Sequence, residues 1–198
     1  MGIFNGNKAP KNDWSAMSTV VKAEAKLQAL GEITPSRRAG VIYRNSDDNA
    51  FLNDIESELK TILYVGAGAT KTSFEIEDDD RGMRWIVLED GNFSDLVSSV
   101  YTVGNAIGVN GAGDNLLAAV FELYFTGIVE DNTYRSGLRT YWIYRYDRKA
   151  FYPFVPTGDN EGDRDRPTEA RLGHDLRKHG LTVEKSLTEW MGLWGIPF

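Results

Sequence analysis

The chain has no cysteine. That excludes disulfides, thiolate metal centres and a cysteine nucleophile, and it fits a reducing compartment. Histidine is nearly absent, with His174 and His179 alone. They stand five apart in a stretch that reads as helical, so they miss the shared face that i, i+4 ligands use. A zinc site or haem is therefore not expected, nor any other cofactor. No apolar run approaches the ~20 residues that span a bilayer, and the first residues lack the apolar core of a signal peptide. Gly6 stands where the N-myristoylation pattern wants Ser or Thr. Positive charge is in deficit: 22 Lys and Arg face 29 Asp and Glu, a net −7 at pH 7. Nonspecific nucleic-acid binding is accordingly not expected without a local basic patch, nor is a sequence-specific nucleic-acid partner. The aromatic run 141–154, with Arg139, Arg145, Arg148 and Lys149, leaves single-strand stacking as a third reading beside core packing. These absences predict a cytoplasmic protein with no transmembrane segment, for which partners are the route to any peripheral membrane contact.

What is present describes a folded domain. Five tryptophans and a 41% apolar fraction suit one core in a chain of this length. Residues 1–12 read as a flexible lead-in, and 13–198 as a single domain with a helical extension from about 167. Apolar residues at helical spacing predict helices over 13–30, from Asn49 to about 65, and from Ser94, a predicted cap, to about 107. Short strands are predicted at 39–44, 72–76, 83–88 and 116–125, with Thr34-Pro35-Ser36 as a break. The centre of the pattern is 139–158, where the aromatic-rich run 141–146 is followed by a charged turn and by Phe151-Tyr152-Pro153-Phe154-Val155-Pro156. The prolines make that second piece an edge or an extended segment. Alternation predicts that one of its side-chain sets enters the core while Tyr152, Phe154 and Pro156, or the opposite set, lie near the surface. A helix is predicted over 168–178. Ser186 and Glu189 have capping-box spacing for a last helix carrying Trp190 and Trp194 on one face. The predicted class is α+β: an antiparallel sheet of about five strands, helices on one face, and C-terminal helices.

Catalytic motifs do not emerge. Gly66 to Thr72 resembles a phosphate loop only faintly, because Thr70 stands where glycine is required and the segment leaves a helix. Asp159, Glu161, Asp163 and Asp165 alternate, but Arg164 occupies the position where a calcium loop needs glycine. The run 159–166 reads instead as a solvated, mobile loop. No serine lies in a nucleophile elbow.

From Tyr144 onward the chain resembles the PspA-associated protein B family, PspAB. The resemblance rests on Tyr144, Tyr146, Arg148, Phe151-Tyr152-Pro153-Phe154, Pro156 and Gly158. It continues in Glu169 and Arg171 and in the closing Leu187, Trp190, Trp194-Gly195 and Pro197, and the opening Met1-Gly2-Ile3-Phe4 agrees. The resemblance implies a role in the phage-shock, or envelope-stress, response of prokaryotes beside PspA-type and HtpX-type proteins. It implies no catalytic residues. The order of elements is also similar to type III secretion chaperones and YbjN-like proteins, which bind proteins and commonly form dimers.

Two functions follow as expectations. One is a non-catalytic adaptor or chaperone-like module with PspA-type or HtpX-type partners, itself a homodimer, whose binding candidates are Arg148, Phe151, Tyr152, Phe154, Pro156, Glu169, Arg171, Trp190 and Trp194. The other is a small-anion binder, or an enzyme, gripping its ligand with Arg148, Tyr152, Arg171 and carboxylates. The segment from 184 onward is expected to dock on the body, because two exposed tryptophans would leave a large apolar area in water.

Overall fold

The computed structural model describes residues 13–66, 68–79, 81–126 and 137–198. The predicted lead-in at 1–12 lies outside the described residues. So do residues 127–136, which the sequence reads as a polar connection into the central stretch.

Six antiparallel strands form one sheet in the order β2-β3-β1-β4-β5-β6. These are β1 (Ile33–Arg44), β2 (Ser73–Asp78), β3 (Met83–Glu89), β4 (Leu116–Phe125), β5 (Leu138–Arg145) and β6 (Ala150–Phe154). The helices are α1 (Asp13–Ala29), α2 (Ala50–Asn53), α3 (Ile55–Tyr64), α4 (Phe93–Ile107) and α5 (Arg166–Lys178). The predicted class holds, with one strand more than expected.

The central strand β1 is twice the predicted length. Pro35, read as a break, lies inside it. The ladder to β4 slips between Pro35 and Ala39. A bulge of this kind leaves residues unpaired and accommodates a proline without a donor. It also turns Ser36 and Arg38 toward β4, where both meet Glu122.

Alternation along the strands gives the sheet two faces. On one, Val41, Ala119, Phe121, Tyr144 and Phe151 meet the helices. Phe93 of α4 packs edge-on against Phe121, and the Tyr144 hydroxyl donates to Asp13 at the start of α1 at 2.5 Å. Asn92, not Ser94, caps α4, accepting from the Asp95 amide at 3.1 Å. Asn49, where the second helix was predicted to start, caps α2, and the single helix predicted there divides into α2 and α3. Beyond α4 the chain kinks: Asn110 leaves helical geometry and Gly111 stands at φ 82°, a left-handed conformation that glycine adopts without Cβ strain.

The opposite face carries Gly40, Ile42, Trp85, Val120, Tyr141, Ile143, Tyr152 and Phe154. The C-terminal segment covers it in a nearly structureless course. The predicted last helix is a single 3-10 turn, Leu187–Glu189, without a side-chain cap. Trp190 and Trp194 therefore do not share a helix face, yet both dock. Gly192 and Gly195 lie within this stretch, Gly195 at φ 78°, and Pro197 lacks a donor; all three disfavour helix. Side chains hold the segment instead. Phe198 lies edge-on to Trp85 and Tyr141 and sits directly over Gly40, where a Cβ would come within 2.7 Å of its ring.

Candidate functional site

The proline-bearing edge is where sequence and structure can be compared most directly. β6 pairs with β5, placing Tyr141 opposite Phe154, Ile143 opposite Tyr152 and Tyr144 opposite Phe151. Pro153 falls at a position facing away from β5, so its missing N–H costs the ladder nothing. The outer side of β6 is closed by the chain itself. Phe151 donates to the Thr182 carbonyl at 2.8 Å and accepts from the Glu184 amide at 2.9 Å. The Val155 amide donates to Glu169 Oε1 at 2.9 Å, and the Val155 carbonyl accepts from Asp165 at 2.8 Å.

The expectation that one side-chain set would lie near the surface is not met. Phe151, Tyr152, Phe154 and Val155 are all buried, and Pro156 is half-buried. The cause is the C-terminal segment, which provides a second apolar layer. Trp190 stacks on Tyr152 with centroids 6.4 Å apart, and Trp194 meets Phe154 edge-on at 5.5 Å. Trp190 also rests on Gly173 of α5, where any Cβ would strike its ring, and its Nε1 donates to the Glu184 carbonyl at 3.0 Å.

Arg164 is the residue sequence reasoning missed. The run 159–166 is not a solvated loop throughout. It folds back through bonds from Thr157 to the Asp163 carbonyl and from Asp163 to the Asn160 carbonyl. Arg164 then turns inward, with its side chain only 4% exposed. It forms a fork with fully buried Glu169 (2.7 to 3.1 Å), donates to the Trp190 carbonyl at 3.0 Å, and lies 4.9 Å over the Phe154 ring. One guanidinium thus ties α5, β6 and the C-terminal segment together. Asp165 beside it caps α5 through Thr168. The sequence signal was Arg164 and Glu169 flanking a helix start, but the surrounding acids made Arg164 read as solvent-facing.

The remaining candidates separate. Arg148, in the turn between β5 and β6, pairs with Glu189 at 2.7 Å. Arg145 holds Asp147 with two bonds, at 2.6 and 3.0 Å, and reaches the Glu189 carbonyl at 3.2 Å. The bond to Arg145 holds the Asp147 carboxyl below the usual range. Arg171 lies 4.7 Å over Phe125, on the helix-bearing face, whereas Tyr152 faces the opposite side. The Arg148–Tyr152–Arg171 grip is therefore not assembled. A cleft of about 390 Å³ does open beside Tyr152, between sheet and C-terminal segment. Its floor is apolar (Ile42, Leu116, Ala118, Ile143), and Arg44, Asp114, Arg145 and Asp147 also line it.

A second buried ionic group lies further along the same face. Glu122 is fully buried in β4 and meets Arg139 at 3.0 Å, Ser36 at 2.5 Å and Arg38 at 3.9 Å. The adjacent Tyr141 hydroxyl donates to the Phe198 carbonyl at 2.9 Å. Burial pushes that hydroxyl's pKa up to about 12. Among the described residues no three His, Asp or Glu side chains come together in a metal-holding group, and no helix is long and apolar enough to cross a membrane.

Compared with known proteins, residues 1–198 match one family model, described as PspA associated protein B. No curated protein and no solved structure matches the chain.

Proposed function

Because the chain belongs to the PspA associated protein B family, we propose that it is a non-catalytic interaction module of the PspA envelope and phage-shock stress response. In this reading it acts in the cytoplasm, in an adaptor or chaperone-like manner. PspA-type proteins are the first partner the reading names; HtpX-type proteins and a second copy of the chain are further ones. The observation that carries it is how three arginines around the candidate edge are used. Arg145, Arg148 and Arg164 each engage a carboxylate of this same chain, and so hold the fold's own segments together. Groups committed in this way are poor candidates for acid–base work or for gripping a free anion.

Calorimetry of the chain against a purified PspA-type protein from the same genome tests the reading. Saturable binding is expected; absence of heat and of co-sedimentation refutes it. A small-ligand reading is favoured by a specific feature, the cleft beside Tyr152. It predicts a raised melting temperature with small anionic amphiphiles, lost in Ile143→Asp.

A further inference from the structure

The two edges of the sheet are treated differently. The β6 edge is closed by residues 163–165, Glu169 and residues 182–184. The β2 edge has no strand beside it among the described residues. Its hydrogen-bonding phase follows from the hairpin. Asp79 donates to the Met83 carbonyl at 2.9 Å, so alternation makes Glu77–Trp85, Glu75–Val87 and Ser73–Glu89 the hydrogen-bonded pairs. The amides and carbonyls of Phe74, Ile76 and Asp78 then point outward. An open row of this kind is a template for another strand.

The side chains along this edge state what that strand would carry. On one face Glu75 and Glu77 are exposed, with Glu89 beside them on β3. On the other, Phe74 and Ile76 are half-buried, and Phe74 stacks on Tyr64 of α3 with centroids 6.0 Å apart. Tyr64 and the following Val65 are exposed. A strand laid on β2 therefore meets carboxylates on one face and an apolar shelf on the other. A second copy of the chain is a poor occupant. Its own β2 would bring Glu75 and Glu77 against the same carboxylates, and like charges on opposed strands destabilise pairing.

We propose that the outer edge of β2 takes up a strand from a protein partner in which Lys or Arg alternates with aliphatic residues, as a seventh strand of the sheet. This deepens the partner-binding reading and rests on it. Main-chain bonds to Phe74, Ile76 and Asp78 supply the attachment, and the alternation supplies selectivity.

The probe is an acetylated, amidated octapeptide alternating Lys and Val, added to the full chain while amide exchange is followed residue by residue. With peptide at about ten times its Kd, exchange at Phe74, Ile76 and Asp78 is expected to slow about tenfold. Added salt should weaken the protection. The E75K/E77K double variant should abolish it with melting unchanged. Ile76→Pro should abolish it too, since that N–H faces away from β3. An octapeptide alternating Glu and Val that protects equally, or protection absent at these three amides, overturns the proposal. So does dimerisation through β2 in solution. The two readings fail separately. If a PspA-type protein binds the wild type and E75K/E77K alike, partner binding stands and the edge assignment falls. If it binds neither, the broader reading fails and the edge proposal goes with it.

Discussion

Arg164 shows how much one side chain can decide. Its guanidinium and the Glu169 carboxylate are both withdrawn from water, which is tolerable only while each has the other. Arg164→Ala leaves Glu169 buried with only the Val155 amide for a partner. It is expected to cost about 3–5 kcal/mol in chemical denaturation. An Arg164→Met/Glu169→Leu double variant should recover most of that loss, because it removes the charge as well as the partner. If the single variant is within experimental error of wild type, the fork is not a structural tie. Charge pattern alone could not reveal this pair: Arg164 stands among acids that do face solvent, and a sequence does not say which way a loop side chain turns. Glu122 was passed over as well, although a lone carboxylate in an apolar strand must find partners. Those partners, Arg38 and Arg139, come from strands on either side of it and are invisible until the strands are ordered.

At the level of elements, the C-terminal segment is held by rings and by a few side-chain bonds, with the Tyr141 hydroxyl at its far end. Tyr141 titrates near 10 when unfolded and near 12 when folded. A raised folded pKa contributes stability that is whole below pH 10 and lost as pH rises through about 12. Ionisation removes the proton donated to Phe198. Release of the segment is thus expected to begin above pH 10, read as a change in tryptophan emission that follows tyrosinate absorbance. In Tyr141→Phe the alkaline step should shrink, and stability at neutral pH should fall by about 1 kcal/mol. Most elements were legible from period and punctuation: α1, the 73–89 hairpin, β4, and β6 as an edge. The failures have particular causes. Pro35 read as a break because a bulge is a tertiary accommodation. Ser186 and Glu189 offered a helix start, but Gly192, Gly195 and Pro197 cannot sustain one, and the segment's course is set by the surface it covers. Family resemblance named Phe154, Trp190 and Trp194 among its motif residues; only the fold shows that they form a contact layer.

For the whole molecule, the strand order has a kinetic consequence. The β2–β3 and β5–β6 pairs are hairpins closed by short turns, but the central strand is assembled from afar: β1 runs beside β3 on one flank and beside β4 on the other, with Ile33 opposite Phe125. Closing such distant pairs spends chain entropy before any contact repays it. Refolding is therefore expected in the millisecond-to-second range typical of non-local topologies. Val41→Ala in the middle of β1 should mainly slow refolding if the joining of the two hairpins is the barrier. Ile76→Ala on the outer hairpin should then mainly speed unfolding. Stopped-flow chevrons for the two variants would distinguish this order of events from one in which β1 docks last, after the barrier. Until β1 is in place, each half of the sheet presents a bare inner edge, and that interval is when this chain would be most exposed to aggregation in a crowded cell.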